Sequence, residues 1–153
     1  MFLFLLLLVS LFSPGSPSRM SGKEIEREKE KEEKEKERKA LRELYDALHD
    51  RDADRVTGVL QRGAITPQAV DKGAHGGINY STPLTWAIYL DFSLSVLDQL
   101  IAAGAKVETR DPFDKVTPLA WAVWIKRPAL VDHLLHRHGA DPNATMTNKG
   151  YGL

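Results

Sequence analysis

The chain has 153 residues, of which 42% are hydrophobic, and this is enough for one domain with an apolar core. It has 21 basic and 21 acidic residues, so its overall charge does not favour nucleic acid, and we expect no nucleic-acid partner. Cysteine is absent, which excludes disulfides and thiolate zinc sites.

An apolar leader, residues 1–19, opens the chain with "MFLFLLLLVSLF". It is too short to span a membrane as a helix, which needs about 20 apolar residues, so no membrane span is expected. Its length fits a secretory signal, yet no Lys or Arg precedes it and no Ala-x-Ala cleavage site follows. Two interpretations stay open: a cytoplasmic protein that begins at Met20 after an upstream extension, or a secreted protein. Processing by microsomes in a cell-free system would distinguish them.

A charged arm, residues 20–39, follows the leader. From Lys23 to Lys39 it has eight acidic and eight basic residues. Pairs of opposite charge three and four positions apart stabilise a helix here by a net of only about 1 kcal/mol. No apolar seam is present, so a coiled coil is not expected. The arm is therefore predicted to be a marginal helix or disordered, and to serve solubility.

From residue 40 to 153, apolar residues return at helical spacing. A first amphipathic stripe comprises Leu41, Leu44, Tyr45 and Leu48. A second stripe comprises Val56, Val59 and Leu60. Glycine readily takes the left-handed conformation that ends a helix. The predicted helix ends of this kind are at Gly63, Gly104 and Gly139.

Two heptapeptides, "STPLTWA" and "VTPLAWA", lie thirty-five positions apart. Thr82 and Thr117 are predicted N-caps, since a threonine oxygen accepts a bond from an early helical amide and proline suits the first helical position. We expect Trp86 and Trp121 to be core residues. Burying each ring is worth about 4 to 6 kcal/mol as an upper estimate.

A unit of capped helix, short turn, second helix, glycine and extended loop resembles the ankyrin repeat. The resemblance rests on "TPLTWA", "TPLAWA" and the helices and loops "LDQLIAAGAKVETRD" and "VDHLLHRHGADPNAT". It implies an all-α, ankyrin-type solenoid of about three helix-turn-helix repeats with finger loops over residues 40–153. The first helix pair resembles an N-terminal capping repeat. The ending "NKGYGL" predicts an array that is truncated at its C-terminus.

Three departures from the family pattern qualify the resemblance. Thr85 and Ala120 replace the motif histidine, so its side-chain bonds to neighbouring loops are not expected. The turns between paired helices lack glycine, which predicts irregular turns. The loop from Gly63 to Thr82 is long and includes "DKGAHGG", which lacks the ending of a phosphate loop and is interpreted as a flexible turn.

The resemblance implies a non-enzymatic protein-protein interaction module with an unidentified protein partner and no cofactor, and we expect a monomer. Its binding surface would comprise finger loops and the exposed side of each first helix. The predicted contact residues are Tyr89, Leu90, Trp124 and Ile125 on the helices, and Arg110, Asp111, Phe113 and Asp114 on a finger. Large aromatic side chains are frequent anchors of interfaces. The alternative is that Tyr89 and Trp124 only shield the groove between repeats or cover the longer loop.

A histidine cluster offers a different function. His133 and His136 share a helix face, and His138 follows, with Asp132 and Asp141 as the local carboxylates. A surface cluster at a helix C-terminus, where positive charge is favourable, is the interpretation that we prefer, without a metal. Two alternatives to an interaction module stay open: a metal-dependent enzyme that uses this cluster, or a nonfunctional fragment of a longer array.

Overall fold

The computed structural model describes residues 21–72, 81–111 and 115–144. Within these ranges the regular structure is helical and contains no strand, as predicted. None of the helices formed there combines the length and apolar character needed to cross a membrane. The chain divides into two compact units, residues 1–35 and 36–153. The predicted leader lies outside the described residues.

Seven helices are formed by the described residues, and a π-helical turn continues the last of them. They are α1 Gly22–His49, α2 Ala53–Gln61, α3 Pro67–Lys72, α4 Pro83–Tyr89, α5 Leu94–Ala102, α6 Pro118–Trp124, α7 Pro128–Asp132 and the π-helical turn His133–Arg137.

In the first unit, residues 22–35 of the charged arm are helical and exposed. The amide of Ser21 donates a 2.7 Å hydrogen bond to the Glu24 carboxylate, which is half of a capping box at the start of α1. The Lys34 ammonium lies 3.8 Å from the Glu30 carboxylate, one turn earlier. Such exposed pairs contribute about 0.3 to 0.5 kcal/mol each, so the arm is a solvated helix with little stabilisation from its charges.

In the second unit, both predicted apolar stripes lie in one core. Leu44, Leu48 and Val56 are fully buried, and the remaining stripe positions are buried or partly buried against them. The phenol of Tyr45 donates a 2.6 Å hydrogen bond to the carbonyl of Ser81. The last turns of α1 are thereby tied to the residue that precedes the first heptapeptide helix.

The predicted helix starts are confirmed in both heptapeptides. The Thr82 hydroxyl accepts from the amide of Thr85 at 3.2 Å, and the Thr117 hydroxyl accepts from that of Ala120 at 3.3 Å. Proline occupies the first helical position after each threonine. The glycines at the predicted helix ends also have positive φ, with values of 61°, 116° and 66° at Gly63, Gly104 and Gly139.

The turns between paired helices are regular, and the prediction of irregular turns was wrong. Arg51, Asp91 and Lys126 each take a positive φ, of 56°, 64° and 57°. In every case the next residue donates its amide to the carbonyl five positions back, at 3.0 Å. This is the hydrogen bond of a Schellman-type helix end, made here without the glycine that usually accepts positive φ. The left-handed conformation costs roughly 1 to 2 kcal/mol at such residues.

The long loop before the first heptapeptide contains α3, and the first two residues of "DKGAHGG" form the end of this helix. Asp71 accepts from the Lys106 amide at 3.2 Å and also from the Thr109 hydroxyl, which fixes the loop to the next finger. A Cβ on Gly104 would lie 2.4 Å from the Cβ of Pro67. Glycine is therefore required sterically at this position as well as by its φ. The part of "DKGAHGG" beyond Lys72 lies outside the described residues.

The contacts between helices follow a simple order. The helix α4 contacts α3, α5 and α6, while α2 contacts α5, and α6 contacts α7. The first helices of the two heptapeptide units, α4 and α6, therefore neighbour each other, and α2, the second helix of the first pair, neighbours α5, the second helix of the next pair. This arrangement brings the equivalent aromatic residues of α4 and α6 side by side.

Candidate binding surface and histidine cluster

Four aromatic side chains form a continuous ladder across α4 and α6, comprising Trp86, Tyr89, Trp121 and Trp124. Trp86 and Tyr89 stack with ring centroids 5.3 Å apart and planes at 15°. Tyr89 meets the edge of Trp121 at 5.9 Å, and Trp121 lies 4.7 Å from Trp124. Tyr89 thus links the rings of α4 to the rings of α6. Ring pairs at such distances contribute about 0.5 to 1.5 kcal/mol beyond their buried area, so the ladder is held in place.

The ladder combines buried and exposed rings. Trp121 is only 8% exposed, which confirms its predicted core position, whereas Trp86 is partly buried and not enclosed as expected. Trp86 lies at one end of the ladder and stacks on Tyr89 alone among these rings. The exposed fractions of Tyr89 and Trp124 are 55% and 65%. The rings of Tyr89 and Trp124 therefore present flat apolar surface to solvent.

The other predicted helix residues are less accessible. Leu90 and Ile125 cap the C-termini of α4 and α6 and pack partly buried against the core, so their expected exposure is corrected. Val123, which the sequence argument did not select, is 56% exposed and adjoins Trp124. The residue at the equivalent position of α4, Ile88, is fully buried. Residue type carries no signal for this difference, because both are β-branched aliphatic side chains.

The finger loop also differs from the prediction. Asp111 is fully buried, so its predicted role as a partner contact is corrected. The Thr85 hydroxyl lies 3.4 Å from the Asp111 carboxylate, and the Asp111 amide donates to the Val116 carbonyl at 2.9 Å. Thr85 therefore does reach a neighbouring loop, contrary to the expectation. Arg110 donates to the carbonyl of Lys115 at 3.1 Å. The predicted contacts at 113 and 114 lie outside the described residues.

The histidine cluster is assembled differently from the prediction. The Nε2 atoms of His133 and His138 each lie 2.7 Å from the same Oδ1 of Asp98. Their rings meet edge to face with centroids 5.0 Å apart. His136, which was expected to share a face with His133, is exposed and lies 2.9 Å from the carboxylate of Asp132. We refer to Asp98, His133 and His138 as the Asp-His-His cluster.

Asp98 comes from α5, the second helix of the preceding helix pair. The sequence argument missed it, because it considered only carboxylates close to the histidines along the chain. Burial acts to raise the pKa of Asp98, but hydrogen bonds from His133 and His138 and the charge of Arg137 lower it more. The pKa of this carboxyl therefore lies below its ordinary value. The Arg137 Nε lies 3.5 Å from the other carboxylate oxygen. An ionised Asp98 thus links two neighbouring helix pairs.

The described residues of the second unit define a helical repeat protein, because the same caps, turns and glycine ends recur at corresponding places. Residues 114–147 match the family model of the ankyrin repeat, and the resemblance noted in the sequence is confirmed over these residues. The chain therefore contains an ankyrin repeat that includes α6, α7 and the π-helical turn. No curated protein and no solved structure matches the chain.

Proposed function

We propose that the chain is a non-enzymatic interaction module that binds a protein partner through the exposed part of the aromatic ladder. The observation that carries this proposal is the exposure of Tyr89 and Trp124, at 55% and 65%, on rings that the neighbouring aromatics hold in place. Monomeric proteins rarely leave such apolar surface uncovered without a use. Rigid aromatic anchors lose little conformational entropy on binding and accept apolar or cationic side chains on their faces.

The proposal is tested by separating binding from shielding. Loss of a central aromatic anchor typically costs at least about 2 kcal/mol, or roughly 30-fold in affinity. We expect Trp124→Ala and Tyr89→Ala to lose, in quantitative affinity purification, the same proteins that the unaltered chain enriches. Ile25→Ala is the matched control, since Ile25 is 45% exposed and lies in the charged arm.

The shielding alternative gives the opposite pattern. If Tyr89 and Trp124 only cover the groove, their removal lowers the free energy of unfolding and leaves the enriched proteins unchanged. Thermal melts of each variant, and titration of the purified partner against them, decide between these outcomes. Full retention of every enriched protein by both variants would contradict the proposal.

We also propose that the three helix pairs of residues 40–144 are successive repeats of one ankyrin-type solenoid. Its support is the recurrence of the same positive-φ turn at Arg51, Asp91 and Lys126, together with a single core. Repeats that share nearest-neighbour interfaces unfold together in a short array. Val56→Ala and Leu134→Ala should therefore lower the midpoint of one shared unfolding transition. Two separate transitions, each moved by one substitution only, would count against a single array. A cytoplasmic location and a monomeric state stay predictions.

A further inference from the structure

We propose that Asp98, His133 and His138 form a binding site for one divalent transition-metal ion, with Zn²⁺ as the expected occupant. The three ligand atoms lie within 4.8 Å of one another. They come from α5, from the π-helical turn after α7 and from the residue that directly follows this turn, so an ion bound there would connect two neighbouring helix pairs. The site goes beyond protein binding, and it uses none of the ladder residues.

The π-helical turn is what brings the two histidines together. Residues five positions apart lie on different faces of an α-helix, which turns about 100° per residue. In a π-helix, hydrogen bonds join residues i and i+5, so His133 and His138 come to lie next to each other. π-helical turns make up well under 1% of residues and occur frequently at functional sites. The rare local conformation thus creates the arrangement that a metal needs.

The end of the last helix can be compared with the end of α5. Lys126 precedes Gly139 by thirteen positions, as Asp91 precedes Gly104, so no residue is added between these two landmarks. The N-cap Ser93 precedes Gly104 by eleven positions, whereas the N-cap Arg127 precedes Gly139 by twelve. The amide after Gly104 donates to the carbonyl five positions back, while the amide after Gly139 donates to that six back. The last helix therefore begins one residue earlier than α5, and the wider turn between the two ligating histidines takes up that residue, so that both helix ends are retained.

The chemistry of the cluster fits zinc. Imidazole nitrogens and one carboxylate oxygen are common Zn²⁺ ligands at about 2.0 to 2.2 Å, and three protein ligands leave a fourth position for water. The short distances from Asp98 Oδ1 to both imidazoles hold the three groups close before an ion enters. On binding, each Nε2 gives its lone pair to the ion, and any ring proton resides on Nδ1 or leaves to solvent. Arg137 near the second carboxylate oxygen acts as an outer-shell partner that fixes the direction of Oδ1.

The experiment is a titration of the full-length chain, freed of metal with a chelator, with Zn²⁺ followed by calorimetry. We expect one site, and a rise in Tm of several degrees at saturating Zn²⁺. Asp98→Asn, which keeps the side-chain shape, and His138→Gln should each weaken binding at least about 100-fold, since loss of outer-shell partners alone costs 10- to 100-fold. The matched control is His136→Gln, which removes an exposed histidine of the same helix end and should bind Zn²⁺ as before.

A second measurement needs no variant. The ring ¹⁵N resonances of His133 and His138 should shift with one equivalent of Zn²⁺, and those of His136 should not. Co²⁺ in the same site should show the visible absorption of a tetrahedral complex. Absence of stoichiometric binding, unchanged affinity in Asp98→Asn, or equal shifts of all three histidines would overturn the proposal and leave the cluster as a hydrogen-bonded link. Trp124→Ala should bind Zn²⁺ normally, so failure of the metal site and failure of the partner surface are distinguishable.

Discussion

Residues 82–111 and 117–144 share a backbone plan and bury different side chains. Both begin with a threonine cap and proline, and both turn at a positive-φ residue without glycine. Yet Trp121 is buried where Trp86 is partly open, and Ile88 is buried where Val123 is open. The backbone plan follows from local residues, whereas burial depends on which neighbour covers each side chain. Substitutions at matched positions of the two segments therefore measure what the neighbours contribute.

The largest expected difference is between the two motif tryptophans. Trp121→Ala should lower the free energy of unfolding by about 3 to 5 kcal/mol, because it removes a large buried ring from the core. Trp86→Ala should cost roughly half as much, since its ring is only partly buried. Urea unfolding followed by far-ultraviolet circular dichroism measures both. An equal or larger cost at Trp86 would show that Trp86, and not Trp121, contributes most to holding the two heptapeptide helix pairs together.

Trp121→Phe serves as the control for this pair. In the described part of the chain, the buried Nε1 of Trp121 has no hydrogen-bond partner. Phenylalanine removes this unsatisfied donor while it keeps most of the apolar contact, so we expect a change within about 1 kcal/mol.

The helix-ending glycines give the next comparison. Gly104→Ala should cost about 3 kcal/mol or more, because the residue has φ of 116° and the new Cβ would lie 2.4 Å from the Cβ of Pro67. Gly139→Ala should cost only about 1 to 2 kcal/mol, since φ is 66° and no described atom lies within 4 Å of the added Cβ. Thermal melts in parallel check the ranking. Equal costs would mean that α3 moves away freely from Gly104.

The smallest expected effects are at the turns, and they are stabilising. Lys126→Gly relieves the strain of a left-handed side-chain residue and should raise the free energy of unfolding by up to about 1 kcal/mol. Asp91→Gly should gain less, because Asp91 also lies 3.0 Å from Arg127 of the next turn, and such pairs contribute about 0 to 1 kcal/mol. Precise urea midpoints compare the two. A net loss at Lys126 would contradict the strain argument.

Much of the fold could be predicted because the determining signals are local. Threonine and proline at a helix start, glycine at its end and apolar spacing between them act within a few residues, and the structure follows them at Thr82, Thr117 and Gly139. The turns were predicted wrongly, since a positive φ at Arg51 or Lys126 is imposed by the packing of the paired helices and is foreign to those residue types.

The candidate sites were predicted only in part, because their geometry is not local. Tyr89 and Trp124 could be selected as outward-facing aromatic residues at equivalent places. The burial of Asp111 depends on Thr85, twenty-six positions earlier, and the pairing of His133 with Asp98 spans thirty-five positions. Contacts of this kind require the stacking of neighbouring units to be known. The π-helical turn adds a further difficulty. If the helix is assumed to be an α-helix, His136 is expected beside His133, whereas the π-helical turn brings His138 there.

The π-helical turn also bears on how a repeat can change its chemistry. Loops are the usual place where length differences accumulate, and there an added residue leaves the packed helices as they were. Here no residue is added: the last helical turn is wound more widely, and the glycine that ends the helix keeps its place and its positive φ. A change in the winding of one turn can in this way exchange which side chains face the preceding helix pair while the stack itself stays intact. Repeat arrays can therefore vary the chemistry of an inter-repeat contact without any change in their loops.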